Sequence, residues 1–255
     1  MVLLVLLSLS GARSVRALDV FTLWRQPELP LRIAPGDWVE YRGQSLAGGR
    51  REETLTRVAC LAEDGEGRLL LELVPLEDVD GALRPVAGEG VRLEVSRDLR
   101  ERRGTFVDAI VSAVQWRGGE AVPLGADELR DDPLVAASLA SDFVPDSVTP
   151  RDPTTRIVLG RQFLCDQWVM AAADTQEARL PAGLMRQVTT REIVAAVHPD
   201  IPFLGLTYVS ERIRAESELD PPSRRLKPPP PRVRVDVLEL VGFGTGAQPV
   251  LGPVD

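Results

Sequence analysis

The chain has 255 residues, of which 30 are basic and 38 acidic, so its net charge at neutral pH is −8. An acidic surface repels phosphate backbones, and we therefore do not expect nucleic acid as a partner. With one histidine and two cysteines the chain lacks the ligand set of a zinc site, and no motif predicts a metal or a cofactor.

An apolar run, Val2–Leu9, opens the chain and is followed by small residues. Val15 and Ala17 suit the pockets of signal peptidase, and the run is too short to span a bilayer. These features predict a signal peptide over residues 1–17 and export to the periplasm or the cell exterior, which leaves residues 18–255 as a single β-rich domain. No basic residue precedes the run, which weakens the signal. An uncleaved N-terminal membrane anchor is the alternative.

Short extended segments dominate the first half of the mature chain. A short helix is predicted between Asp19, which can cap it, and Pro27. Strand formers follow in "GDWVEYRGQSL", and two further strands, Thr54–Ala62 and Arg68–Leu76, are separated by an Asp-Gly turn. The segment "GVRLEVSRD" alternates apolar and polar residues, as half-buried antiparallel strands do.

The middle of the chain is the least regular. The segment "GTFVDAIVSAVQWRGG" fits both a helical face and an alternating strand, and we favour the strand because Trp116 is soon followed by the turn Gly118-Gly119. The segment "RDDPLVAASLASDF" gives the strongest helix signal, since Asp132 can cap a helix and Pro133 suits its first position.

Five extended segments complete the chain: "TTRIVLG", "RQFLCDQWVMAA", "LMRQVTTREIVAAV", "FLGLTYVSERI" and "RVRVDVLELVGFG". Prolines between the last two predict an extended loop over residues 220–231. The eight to ten strands and two short helices indicate a mainly β (α+β) fold, in which one curved, half-barrel-like antiparallel sheet holds helices inside or across it. A β-sandwich is the alternative.

The only histidine lies in His198-Pro199-Asp200, the tripeptide with which J-domain co-chaperones engage their heat-shock partner. Pro199 and Pro202 exclude the two helices that flank this tripeptide in a J-domain. No serine or cysteine lies in a nucleophile-elbow context, so we do not expect His198 to be catalytic. We interpret the stretch as a rigid turn between two strands.

Gly242, Gly244 and Gly246 give "GFGTGAQP" a superficial likeness to a phosphate-binding loop. Such a loop needs a following helix, and Pro249 and Pro253 interrupt the few residues that remain. We therefore expect a strand end at which the backbone approaches a neighbour closely.

Cys60 and Cys165 could form a disulfide in an oxidising compartment, which would contribute at most about 4–5 kcal/mol in the chain-entropy model. Each cysteine lies in an apolar, strand-like segment, where a free thiol behaves as a small hydrophobic side chain. We favour two buried thiols over the disulfide.

Trp38, Trp116 and Trp168 lie in different regions of the chain, each beside apolar residues, and Phe163 precedes the last of them closely. Core packing is the expected role of such side chains. The alternative is that these aromatic side chains line a shared ligand cavity.

Four segments together resemble one pattern: "APGDWVEYR", "LGRQFLCDQW", "DIPFLGLTYVSE" and "LELVGFGTGAQP". On these segments the chain resembles a family of uncharacterised exported bacterial proteins and, more distantly, the periplasmic lipoprotein carriers. The resemblance implies a curved antiparallel half-barrel around an apolar cavity, which in the carriers holds acyl chains. Its motifs are structural, Ile201 replaces a valine, and the proline-rich loop is an insertion, so no carrier residue is assigned to a position here.

Three functions follow as hypotheses. The leading one is a non-enzymatic exported envelope protein that binds a lipid or another apolar ligand in the hollow of the sheet. The alternative is a protein-interaction or scaffold module that binds an envelope partner through the sheet edge or the proline-rich loop. The third, an exported hydrolase with carboxylates gathered in space, is less favoured. The oligomeric state stays open.

Overall fold

The computed structural model describes residues 20–98, 106–125, 128–129, 143–180, 183–220 and 227–253. The predicted signal peptide and the helix predicted from Asp132 lie outside these residues, as do residues 221–226 of the proline-rich loop. Residues 227–231 of that loop are exposed and belong to no strand, as predicted.

The described residues contain twelve strands and two four-residue 3₁₀ turns, Val20–Leu23 and Phe106–Ala109. The strands are β1 (Trp38–Ala47), β2 (Arg50–Glu63), β3 (Arg68–Val79), β4 (Ala82–Pro85), β5 (Gly90–Ser96), β6 (Ile110–Arg117), β7 (Glu120–Leu124), β8 (Ser147–Val158), β9 (Arg161–Leu180), β10 (Gly183–Val197), β11 (Leu206–Asp220) and β12 (Arg232–Gly244). The first 3₁₀ turn is shorter than the helix predicted up to Pro27. Within the described residues, no helix is long and apolar enough to cross a bilayer.

All twelve strands belong to one antiparallel sheet that is not closed. Its order is β7-β6-β5-β3-β2-β1-β12-β11-β10-β9-β8, and β4 pairs with β3 beside this path. Most strands pair with a neighbour along the chain, while the pairing of β1 with β12 joins the two halves at the centre. The predicted mainly β fold with a single antiparallel sheet is therefore confirmed, and the described strands do not form the two packed sheets of the alternative.

One face of the sheet, here called the core face, packs against the N-terminal segment. Burial alternates along β1, where Val39 and Tyr41 are buried, because successive side chains point to opposite faces. Over this face lie Phe21, Trp24 and Phe106, whose ring centroids are 4.4 to 5.6 Å apart. These rings belong to the same hydrophobic core as the buried side chains of the strands.

The segment that fitted both helix and strand divides at Ile110. Phe106, Val107 and Ala109 are all buried in the 3₁₀ turn, and β6 begins at the next residue. A turn can bury adjacent side chains on one side, whereas a strand must alternate them. The predicted strand is therefore confirmed from Ile110 onward and is wrong before it.

The sheet curls strongly on its β8 side. Three strands separate β8 from β12, so a flat sheet would hold the two about 19 Å apart. Arg156 on β8 nevertheless lies 3.5 Å from Glu239 on β12, and its guanidinium lies 4.1 Å from the ring of Tyr208 on β11. The rings of Phe163 and Phe243 are 5.9 Å apart. The β8–β9 hairpin thus folds over the ends of β11 and β12, in agreement with the predicted curvature.

The face opposite the core face, here called the outer face, has its own cover near β3 and β5. The C-terminal segment, residues 245–253, places Leu251 against Val74 and Leu76. The first and last segments that the structure describes therefore cover opposite faces of one sheet.

Candidate functional site

The candidate site begins where β11 runs beyond the buried core. Between residues 212 and 220 this strand separates charged from uncharged side chains by face. Its outer face carries Arg212, Arg214, Glu216, Glu218 and Asp220. Its core face carries Ile213, Ala215, Ser217 and Leu219. Such complete segregation indicates that the core face meets an apolar environment.

The neighbouring strand extends this uncharged surface. Met185, Gln187 and Thr189 on β10 pair in register with Leu219, Ser217 and Ala215 on β11. Leu219 is buried and the other side chains are partly buried. We call the seven residues the uncharged strip: Met185, Gln187, Thr189, Ile213, Ala215, Ser217 and Leu219.

A row of polar side chains, four of them charged, separates the uncharged strip from the buried core. We call it the polar row, and its members are Ser45, Arg191, Glu211, Arg234 and Asp236. Arg191 forms an ion pair with Glu211 across β10 and β11. Arg234 binds Asp236 along β12 at 2.8 Å, and Asp236 faces Ser45 on β1. The row therefore crosses four strands at one level of the core face.

Both carboxylates of the polar row are inaccessible to solvent, since Glu211 is 4% and Asp236 1% exposed. Burial raises the pKa of Glu211; the charge of Arg191 opposes this shift and that of Asp236 adds to it. The guanidinium of Arg191 also lies 4.5 Å from the ring of Phe143. Because both carboxylates are buried and ion-paired, they are not open to a substrate. The polar row instead marks the boundary between the uncharged strip and the buried core.

The uncharged strip has a cationic flank on β12. Arg234 and Arg232 are the register partners of Ile213 and Ala215. The Nη2 atom of Arg234 is buried and has no hydrogen-bond partner within the described structure. An unsatisfied guanidinium donor beside an uncharged surface is suited to an anionic group that carries an apolar chain.

A shallow groove of about 450 Å³ lies on the outer face, near the start of β8. Ala171 and Ala173 line it together with Glu192, Arg212 and Arg214, which share a face by their register. This groove is open and charged, so it suits a polar group better than an acyl chain.

The aromatic side chains proposed to share a cavity are divided between the two faces. Trp38 and Trp116 belong to the outer face, where the guanidinium of Arg57 covers the first and that of Arg92 covers the second. Trp168 and Phe163 pack with the main core. β1 and β6 direct their tryptophans away from the core face, so Trp38 and Trp116 lie apart from Trp168 and Phe163.

The two cysteines are buried free thiols, so the disulfide considered for Cys60 and Cys165 is not formed. Burial raises the pKa of Cys60 to about 12 and also raises that of Cys165. The Sγ atom of Cys165 lies 3.3 Å from the hydroxyl of Thr207. Neither thiol has the lowered pKa of a reactive cysteine.

His198 lies at the corner between β10 and β11, as predicted. Its Nδ1 atom accepts the amide of Asp200 at 3.2 Å, and its ring packs edge-on against Phe163 with centroids 5.1 Å apart. The amide of His198 donates to the carbonyl of Gly205 at 2.8 Å and closes the turn. These contacts give the histidine a structural role.

The glycine-rich end of β12 is also a packing feature, as expected. A Cβ atom on Gly244 would lie 2.9 Å from the indole of Trp38, and one on Gly242 would collide with the carboxylate of Glu40. Only glycine lets Trp38 lie flat against this strand.

Among the described residues, no three histidine, cysteine or acidic side chains are placed to hold a metal ion. Comparison with models of protein families gave no match, and comparison with curated protein sequences gave no significant match.

Proposed function

We propose that this protein is a non-enzymatic, exported envelope protein that binds an anionic amphiphile on the core face of β10 to β12. The apolar chain of the ligand lies along the uncharged strip. Its acidic headgroup meets the cationic flank formed by Arg232 and Arg234.

One observation carries the proposal. Over residues 212–220 of β11, all the side chains on the outer face are charged. The side chains on the core face, Ile213, Ala215, Ser217 and Leu219, carry no charge. Hydrogen bonding within the sheet does not require this segregation, since a strand exposed on both faces tolerates charge on either. A surface that holds an apolar chain does require it, because burying an unpaired charge is costly.

The cationic flank supports an acidic headgroup. Asp236 occupies the Nε side of Arg234 at 2.9 Å, which leaves the buried Nη2 donor unsatisfied. This donor is enclosed, so a carboxylate or phosphate would satisfy it with a charge-assisted hydrogen bond once the Arg234 side chain shifts toward the strip. Arg232 lies two residues before Arg234 on the same face of β12, opposite Ala215, and is exposed. It can therefore contact a headgroup at the mouth of the site.

The architecture supports the same ligand class. A single antiparallel sheet that is not closed has an open side through which a ligand can enter. The resemblance to the lipoprotein carriers likewise implies a curved antiparallel sheet.

A protein-interaction module is less well supported. β8 is one edge of the sheet, and it contains Pro150 and Pro153 together with a register shift between Arg151 and Thr154. Proline and irregular pairing block the addition of a further strand at an edge. The edge strand thus disfavours docking by strand addition.

The test is binding of a dansyl-labelled undecanoic acid to the full chain and to two variants of adjacent residues. Ala215→Glu places a charge in the uncharged strip, and Arg214→Glu places one on the outer face of the same strand. We expect Ala215→Glu to weaken binding at least about tenfold and Arg214→Glu to leave it unchanged, since burying an unpaired carboxylate costs more than 1.4 kcal/mol.

Competition identifies the headgroup. Dodecanoic acid should displace the probe and dodecanol should displace it less well, and Arg234→Gln should remove most of that difference. Absence of probe binding by the wild-type chain, or equal loss in Ala215→Glu and Arg214→Glu, would contradict the proposal.

A further inference from the structure

The tip of the β8–β9 hairpin exposes three large apolar side chains. Ile157, Leu159 and Leu164 are 69%, 64% and 68% exposed. Ile157 pairs with Gln162 and Leu164 with Thr155, so the first and last of the three are diagonal neighbours on one face of the hairpin. Leu159 stands in the turn itself. We call these three residues the hydrophobic tip.

The turn places Leu159 in a conformation that leucine rarely adopts. Leu159 and Gly160 have φ values of +50° and +74°, the pattern of a two-residue type I′ turn. The first position of this turn normally holds Asn, Asp or Gly, because a Cβ atom is strained there. A strained and solvent-exposed leucine at the apex contributes nothing to folding that asparagine would not supply better, which points to a role in binding.

The hydrophobic tip is flanked by positive charge in an acidic protein. Residues 153–165 carry Arg156, which is paired with Glu239, and Arg161, and they carry no acidic residue, whereas the whole chain has a net charge of −8. Arg161 is exposed and its guanidinium lies 5.3 Å from the ring of Phe163. An anionic surface would therefore attract this end of the molecule and repel the rest.

We propose that the hydrophobic tip inserts into the headgroup region of a bilayer that contains anionic lipids. Its three side chains enter the boundary between headgroups and acyl chains, and Arg161 stays at the level of the phosphates. A bilayer suits the hydrophobic tip better than a folded partner does. A two-residue turn with three apolar side chains offers too little area for a stable protein interface.

The test attaches an environment-sensitive nitrobenzoxadiazole fluorophore at the tip. Leu164→Cys provides the labelling site in the full chain, because both native thiols are buried. Leu46→Cys, at another exposed apolar residue, provides the matched control. The probes are vesicles of equal parts phosphatidylglycerol and phosphatidylcholine, and vesicles of phosphatidylcholine alone.

We expect the label at position 164 to brighten and shift to the blue with the anionic vesicles, and the label at position 46 to stay unchanged. Adding Leu159→Asn should weaken the response about tenfold, in line with the apolar surface of one partly inserted leucine. Asparagine suits the turn, so this variant should fold at least as well as the wild-type chain. It should also bind the dansyl acid normally, which separates this inference from the proposed ligand site.

An unchanged label at position 164, or an equal response with and without Leu159→Asn, would overturn the inference. Loss of self-association in Leu159→Asn, measured by sedimentation without vesicles, would overturn it too, since the tip would then serve as a contact between copies of the chain.

Discussion

Glu72 and Arg92 form an ion pair of 2.8 Å on the outer face of the sheet, and together they hold the C-terminal segment. The carboxylate of Glu72 accepts the amides of Val250 and Leu251, at 2.8 and 3.3 Å. The guanidinium of Arg92 donates to the carbonyls of the two residues that follow Leu251, both at 2.9 Å. Two buried side chains thus replace strand pairing as the means of fixing this end of the chain.

Arg92→Ala should destabilise the protein by about 3–5 kcal/mol, because it leaves the buried carboxylate of Glu72 without its cation. Arg42→Ala is the control. Arg42 pairs with Glu53 at 3.4 Å where both side chains are exposed, so its loss should cost less than about 1 kcal/mol. Urea unfolding followed by circular dichroism measures both values. Equal costs for the two variants would show that the C-terminal segment is held by apolar contacts alone.

Glu211→Gln should change how stability depends on pH. Because burial raises the pKa of Glu211 above its ordinary value of 4.5, the folded protein keeps this proton over a range where the unfolded chain has lost it. The free energy of unfolding of the wild-type chain therefore falls as pH rises through that range. The variant lacks this decline, so its stability relative to wild type should increase from pH 4 to pH 7.

Urea titrations at several pH values give this difference, with Glu216→Gln on the outer face of the same strand as the control. A relative stability of Glu211→Gln that decreased with pH would mean that attraction to Arg191 outweighs the cost of burial.

Gly244→Ala should destabilise the protein by about 1–3 kcal/mol, because its Cβ atom would lie 2.9 Å from the rigid indole of Trp38. Gly242→Ala should cost less, since the carboxylate of Glu40 that it meets ends a flexible side chain and can move. Thermal unfolding compares the two variants. If Gly242→Ala proved the more harmful, the close approach of Trp38 would not be what selects glycine here.

Both cysteines should resist thiol reagents in the folded protein and react fully after unfolding without a reductant. Burial raises the pKa of Cys60 to about 12, so almost none of it is thiolate at about pH 8. Titration with Ellman's reagent, with and without guanidinium chloride, counts the thiols that react in the unfolded and in the folded protein. An unfolded chain that needs a reductant before it reacts would reveal a disulfide.

The architecture was predictable because most strands alternate in the sequence. The predicted strand Thr54–Ala62 lies inside β2, and "GVRLEVSRD" contains β5. The predicted strand bounds were wrong where a strand is held by pairing with its neighbour and not by burial of apolar side chains. β9 continues for eight residues beyond the predicted Ala172, through "ADTQEARL", which has little apolar character and is held by its ladder to β10.

The candidate site was missed for a related reason. In "RVRVDVLELVGFG" the valines mark one face and the leucines the other, and both patterns alternate correctly. Leu238 and Leu240 take the core face because larger side chains gain more from burial, and this also carries Asp236 and Arg234 inward while Val233 stays exposed. The sequence signal for the polar row was that Asp236 and Arg234 fall on the same face of the strand as Leu238 and Leu240. Which partner neutralises it depends on register across strands, which one sequence does not fix.

Mass spectrometry of an organic extract of the protein, purified without detergent, tests the central claim most directly. We expect about one equivalent of an acidic amphiphile per chain, and its amount should drop sharply in Ala215→Glu but not in Arg214→Glu. An extract free of amphiphile, from protein that also leaves the dansyl acid unbound, would contradict it.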